Sequence, residues 1–545
     1  MNKLITEIKE KLAHLIKDIG INENIEFNIS KLPEWDLQIN TLLKYKSHKQ
    51  YKNLVEIIST ELKSTDYFKE IEFNDKGFIN LKLNIATLFS ILSNQPKDFK
   101  VSKPINIIID FGGPNLGKPL HVGHIRTLNI GRSLYNMNKF IGNNIVSDLH
   151  LGDWGMPISQ ILCYMEINKI PFQSILFEDL QSIYPKASLE YNKNENFKQK
   201  SQEINKLLNN ENEYYITKWK ELKNISIKNL EESFQMLSHE FDYWYGESDV
   251  NSLINPMLED LKKDGKIIED DNALISSEII EPRILITKSD GSYLYITTDL
   301  ATILFRQNNI PYDKALYVVD KRQSLHFQQL FSSIKYFEFN NNQHEHVAYG
   351  TMNDKNGNPF KTRDGETKPL RELFEETYNY IKTINPSLNE SDLINLTNSV
   401  LSFSDLLTNR LTDYKFDLEK FTSITGKTGV YIQYAQVRAQ KLNKQFSNIN
   451  PVFSEQYSAN DQKLLSKLFL FGVYLDQSIT LNEPHHLANY LYEICNLFNT
   501  FYEEEKLLEI TDQSKLSMKL YVLGLFITTC HNTMFCLGIT PVEEM

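Results

Sequence analysis

Lys118-Pro119-Leu120-His121-Val122-Gly123-His124 gathers two imidazoles, a lysine and a glycine within one short stretch. An apolar run from Ile105 to Ile109 precedes it, broken by Asp110-Phe111-Gly112-Gly113-Pro114-Asn115. Apolar residues at helical spacing follow: Ile125, Leu128, Leu134, Met137 and Ile141. This pattern predicts a buried strand, a glycine-rich turn and a helix with both imidazoles on its first turn. The free N–H groups and positive dipole end of such a helix suit a phosphate. Gly123 lets a planar ring lie against the backbone. Two imidazole donors can then hold phosphate oxygens while pentavalent charge develops. Taken alone, the tetrapeptide fits a helix start with two surface histidines equally well; the strand and turn before it favour phosphate chemistry.

Other groups invite chemistry at a distance along the chain. Asp299 follows Tyr293-Leu294-Tyr295-Ile296-Thr297-Thr298, which reads as a strand, and an acid there stands where an α/β sheet presents its ligands. It could equally cap a helix opening at Leu300. Gly426 to Phe446 carries Lys427, Arg438, Lys441 and Lys444 and no acid, which suits a polyanion or a solvated helix face. Tyr434 in that stretch reads equally as helix core. His485-His486 and His344/His346 show no recognisable acid or thiol partner set, so surface histidines are the expectation and no metal site is assigned.

These groups need elements to hold them. Residues 1–95 read as a small α/β unit with a helix near 3–18 and an alternating strand at 77–83. A linker around Asn94-Gln95-Pro96-Lys97-Asp98 leads into residues 100–425, a doubly wound, Rossmann-type domain. Its strands are expected at 105–109, 144–147, 293–298 and 315–319, with a helical insertion around 165–250. Residues 426–545 read as an all-α bundle.

The chain has 545 residues, 41% hydrophobic and 23% charged, which is ordinary for a globular protein of several domains. No apolar run approaches the roughly 20 residues that cross a bilayer, and the first residues read as an amphipathic helix rather than a signal peptide. Cys163, Cys495, Cys530 and Cys536 lack C-x-x-C spacing, which argues against a zinc cluster or disulfide scaffold and for reduced thiols in a cytoplasmic protein. The net charge of −12 counts mildly against nucleic-acid binding, although a local basic strip suffices.

Gly113-Pro114-Asn115, Lys118-Pro119, His121-Val122-Gly123-His124-Ile125-Arg126 and Leu151-Gly152-Asp153-Trp154-Gly155 resemble the signature of class I arginyl-tRNA synthetases. So do Tyr293 to Asp299, Asp320-Lys321-Arg322-Gln323, Lys361-Thr362-Arg363-Asp364-Gly365 and Tyr431-Ile432-Gln433-Tyr434-Ala435, in family order across nearly the whole chain. Pro33 to Asn40 resembles a motif of the family's N-terminal domain, which contacts the tRNA elbow. The resemblance implies an ATP-dependent, AMP-forming ligase that joins L-arginine to tRNA(Arg), with magnesium carried by ATP, no dedicated metal, no membrane or DNA partner, and a monomeric state.

It also implies residue roles. His121, His124, Lys118, Lys361 and Arg363 would act in catalysis, with Gly123, Gly152 and Asp153 beside ATP. Asn115, Asp148, His150, Tyr295, Asp299 and Gln323 would bind arginine. Tyr431, Gln433, Tyr434, Arg438 and Lys441 would bind tRNA. The family's second signature usually has a second lysine, absent from Lys361 to Gly365; Lys118 stands where some members supply the missing charge. Many members have an asparagine at the place of Leu149, and Asp148 is the expected substitute for its contact with the substrate's α-ammonium.

Overall fold

The computed structural model describes residues 2–74, 76–93, 99–172, 175–278, 284–289, 292–360, 367–454 and 456–545. The chain divides into two compact units. One comprises Met1–Val101, Ser387–Asn409 and Glu419–Met545, the other Ser102–Pro386 and Arg410–Leu418. The division assigns 387–409 and 419–425, which the sequence reading placed in the doubly wound domain, to the first unit. The expected linker at 94–98 lies outside the described residues.

The first unit starts with α1 (Asn2–Lys17), which buries Leu4, Ile8, Leu12 and Ile16 along one face. β1 (Phe27–Ile29), β2 (Leu37–Ile39), α2 (Tyr51–Ser64), β3 (Phe68–Phe73), β4 (Ile79–Leu83) and α3 (Ile85–Ser93) follow. The strands form an antiparallel sheet in the order β1-β2-β4-β3. Its two central strands bury Leu37, Ile39, Ile79, Leu81 and Leu83 completely.

The second unit is built on a parallel sheet. β5 (Asn106–Phe111), α4 (His124–Phe140) and β6 (Asn144–Asp148) form the first βαβ element. Helices α5 (Met156–Ile167), α6 (Phe177–Lys193), α7 (Glu195–Asn209), α8 (Glu213–Met236) and α9 (Glu247–Lys263) come next, then the hairpin β7 (Ile267–Asp270)–β8 (Ala273–Ser276). α5 to α8 share a core of Ile158, Ile161, Leu162, Phe177, Leu180, Phe197 and Leu222, which makes the insertion a helical body of its own. α10 (Tyr295–Asn309), β9 (Lys314–Val318), α11 (Ser324–Tyr336) and β10 (Gln343–His346) complete the sheet, ordered β10-β9-β5-β6. β11 (Met352–Asn353), α12 (Leu370–Ile384) and β12 (Tyr414–Lys415) follow, β11 and β12 pairing in parallel.

Residues 293–298 do not form the expected strand. Helix begins at Tyr295 and buries Ile296, Leu300 and Ile303 at helical spacing. The β-branched run Ile296-Thr297-Thr298 favours a strand by composition, but Thr297 turns its hydroxyl to the Ile286 carbonyl at 2.5 Å, and the 3.6-residue period of the buried residues decides the outcome. Asp299 therefore lies within a helix, one turn past its start, and the cap position belongs to Leu294.

The remaining helices return to the first unit: α13 (Glu390–Leu406), the single turn α14 (Leu418–Phe421), α15 (Gly429–Gln445), α16 (Ala459–Phe469), α17 (Phe471–Thr480), α18 (His485–Glu504) and α19 (Gln513–Cys536). α13, α15, α18 and α19 pack as a bundle around Leu442, Leu491, Phe498, Phe526 and Met534. Among the described residues no helix is long and apolar enough to cross a membrane.

Candidate active site

Strand order reverses between β5 and β9, the neighbouring strands from which the chain departs in opposite directions. Ligands of doubly wound sheets bind at such a point, beyond the carboxyl ends of the strands. One hydroxyl closes the seam: Thr127 accepts the Gly112 N–H at 3.0 Å and donates to the Val318 carbonyl at 2.7 Å. The turn after β5 places His124 as the first residue of α4 and His121 three residues earlier, in the turn itself, so only one of the two imidazoles expected on the first helical turn is there.

Backbone donors fix both imidazoles. His121 N–H donates to His124 Nδ1 at 3.0 Å, and Gly123 N–H donates to His121 Nδ1 at 3.1 Å. Nδ1 of His121 is thus an acceptor, which puts the neutral ring's proton on Nε2; Nδ1 of His124 also lies 3.3 Å from the His121 carbonyl, and the shorter bond from the N–H favours the same tautomer there. The ring centroids stand 4.0 Å apart. Partial shielding of the ring within an otherwise exposed residue, then the charges of Lys118 and Arg322, lower the His121 pKa. Burial, followed by His121, takes His124 down to about 3. Both rings are therefore neutral N–H donors at physiological pH. A Cβ on Gly123 would meet His121 Cε1 at 2.8 Å, so the packed ring requires this glycine. Lys118 rests over the Tyr184 ring at 4.4 Å. Val122 N–H donates to the Lys368 carbonyl and Leu370 N–H to the Leu120 carbonyl, tying the histidine turn to the start of α12. Lys361 and Arg363 lie outside the described residues.

A second group of side chains follows one face of α10. Tyr295, Asp299 and Thr302 recur at i, i+4 and i+7. Tyr295 is 77% exposed. Thr302 Oγ1 lies 3.5 Å from His150 Nε2. Asp299 Oδ2 meets His326 Nε2 at 2.6 Å, and this bond raises the His326 pKa. Glu247, the first residue of α9, is pushed up to about 7 by burial and then by the carboxylates of Asp153 and Asp299. Gln323 is exposed just before α11. Asn115 pairs with Gly152 across a parallel bridge, its side chain over the glycine where no Cβ would fit. Glu247 and His326 were absent from the sequence reading: an acid opening a helix reads as a dipole partner, and His326 lies beyond the motif that ends at Gln323.

Two expected contacts do not fit the geometry. Asp148 is fully buried, its Oδ2 held by Arg306 at 2.6 Å beside Asp110 and its Oδ1 accepting the Tyr245 N–H at 3.3 Å, so it braces the interior rather than facing an open site. Asp153 is equally buried, with Lys223 at 2.5 Å and the Ser248 hydroxyl and N–H at 2.7 and 2.9 Å, and so holds the turn. Leu149, at the family's asparagine position, is core. His344 and His346 are engaged with Asn340, Tyr317 and the Val319 carbonyl.

In the first unit, Gln433 is also removed from the expected surface. It is buried, donating to Ser399 Oγ and the Thr540 carbonyl and accepting the Val542 N–H, and so anchors the chain's last residues. Tyr431, Tyr434, Arg438 and Lys441 share the opposite face of α15. Arg438 lies over the rings of Tyr434 and Tyr502 at 4.6 and 4.4 Å, and Tyr431 bonds Asn496 and Asn499 of α18.

A parallel sheet reversing at a histidine-bearing turn, followed by a helical bundle, defines a class I aminoacyl-tRNA synthetase architecture. The profile of "tRNA synthetases class I (R), catalytic domain" matches residues 87–418, the DALR anticodon binding domain 432–545, and the arginyl-tRNA synthetase N-terminal domain 2–83. The arginine–tRNA ligase of Francisella tularensis is 34% identical, with 85% of each chain covered. That of Agathobacter rectalis is 31% identical over 97% of each. The crystal structure of Plasmodium falciparum arginyl-tRNA synthetase superposes with a TM-score of 0.83 at 23% identity, covering 99% of both chains. The chain belongs to the arginyl-tRNA synthetase family.

Proposed function

We propose that this protein is an arginine–tRNA ligase. The arginine carboxylate attacks the α-phosphorus of ATP, the bond to the β-phosphate oxygen breaks, and pyrophosphate leaves. A ribose hydroxyl at the 3′ end of tRNA(Arg) then attacks the activated carbonyl and AMP leaves. The observation that carries the reading is the neutral histidine pair, each Nδ1 accepting a backbone N–H, with His124 opening α4 and His121 in the turn just before it.

Positioning and charge stabilisation do the chemistry. His121 and His124 donate Nε2–H to phosphate oxygens, while Lys118, Lys361 and Arg363 supply positive charge and magnesium arrives with ATP. Gly123 and Gly152 shape the floor beside the nucleotide. Asp299 takes the guanidinium, flanked by Glu247 and Tyr295; Asn115, His150 and Gln323 hold the rest of arginine. Tyr431, Tyr434, Arg438 and Lys441 offer stacking and cationic contact to unpaired tRNA bases. Free cysteines support a reducing, cytoplasmic setting, and light scattering of the purified protein is expected to give a monomer.

The test is ATP–pyrophosphate exchange with each proteinogenic amino acid, with and without tRNA(Arg). Exchange with arginine alone, and only when tRNA(Arg) is present, is the expected result. Exchange driven by another amino acid would overturn the assignment.

A further inference from the structure

The turn between α17 and α18 brings two imidazoles and a carboxylate together. Glu483 Oε2 lies 3.0 Å from His486 Nε2 and 3.8 Å from His485 Nδ1, and all three ligand atoms fall within 4.8 Å of one another. The side chains are 19%, 24% and 18% exposed, so the cluster is sheltered but reachable. A metal with N and O bonds of about 2.0–2.1 Å spaces tetrahedral ligand atoms roughly 3.3 Å apart, and the two measured separations bracket that value. Two imidazoles with one carboxylate suit zinc and its first-row neighbours rather than magnesium or calcium, which prefer oxygen throughout.

The surroundings hold the ligands in place. Asn409 Nδ2 donates to Glu483 Oε1 at 3.2 Å, which leaves Oε2 to face the histidines, as supporting hydrogen bonds do in metal sites. Asn489 donates to the His485 carbonyl at 2.8 Å and to the Leu407 carbonyl at 3.1 Å, joining the first turn of α18 to the end of α13. Its amide oxygen accepts Lys427 at 2.8 Å. Sequence reading set the two histidines aside for want of an acid; Glu483, two residues before His485, supplies it.

We propose that Glu483, His485 and His486 bind one divalent transition-metal ion of the zinc class, with water completing the coordination, and that the ion fastens the first turn of α18. The full chain, free of any histidine tag, is titrated with zinc chloride against a chromophoric chelator and with cobalt(II) by visible absorption. One zinc per chain is expected, with a tetrahedral-type cobalt band. Affinity should fall by about tenfold or more in Glu483→Gln and in His486→Ala, and stay unchanged in His48→Ala, an exposed histidine elsewhere. Zinc should raise the Tm of the unsubstituted protein and not that of the two variants. Should either variant fail to fold, His485→Asn replaces it, and the cobalt spectrum of the unsubstituted chain decides independently. Absence of the cobalt band, or zinc affinity indifferent to these substitutions, overturns the proposal.

Discussion

His124, as proposed, would meet a triphosphate without carrying a charge of its own. Burial takes its pKa down to about 3, so the ring is a neutral donor near neutral pH. His124→Ala should therefore slow arginyl-adenylate formation by about a hundredfold, as removal of one oxyanion donor typically does, with arginine binding nearly unchanged. Pre-steady-state activation at the unsubstituted rate would refute the role. Asp299→Asn should raise KM for arginine far more than KM for ATP; equal effects on both would count against guanidinium recognition. Glu247 gives this pocket a pH signature. Below about 7 its carboxyl is mostly protonated, and it ionises above, while a guanidinium stays charged throughout. kcat/KM for arginine should thus rise with pH through about 7, because that ratio reports ionisations of the free enzyme. Glu247→Gln should flatten that limb, and a profile unaltered by the substitution would exclude the residue from the pocket.

At the scale of elements, the histidine turn was legible because its strand, its glycines and its helix each have a local signature. The strands at the sheet's centre were legible for the same reason. The segment at 293–298 was not, since β-branched composition and helical period conflict there, and only burial against α9 settles the contest. Nor could sequence tell which acids are free. Asp153 and Asp148 look available until Lys223 and Arg306 arrive from 70 and 158 residues away. Gln433 was misplaced in the same manner, its partners being the chain's distant last residues. Lys118 belongs to the turn and not to the sheet, so Lys118→Met should leave the thermal transition in place while severely impairing activation. Normal activation by that variant would show that the missing loop lysine needs no replacement.

For the molecule as a whole, the bundle relies on more than apolar packing. Lys519, 1% exposed, lies 2.8 Å from the fully buried Asp461 and 3.1 Å from Glu504. Removing one member of a buried pair strands the other's charge, at roughly 3–5 kcal/mol. Lys519→Met should cost about that much in urea unfolding, read from the transition that reports the helical unit. A loss below about 1 kcal/mol would mean that water reaches Asp461 after all.

The single hydroxyl of Thr127 spans the two strands between which the sheet changes direction. It accepts a hydrogen bond from the residue just past the end of one and donates a hydrogen bond to the other, in a place sealed from solvent. Valine has the same outline but would strand an amide and a carbonyl in the dry, while serine could do both jobs. Saturating this codon and selecting for growth should return threonine and serine and almost nothing else.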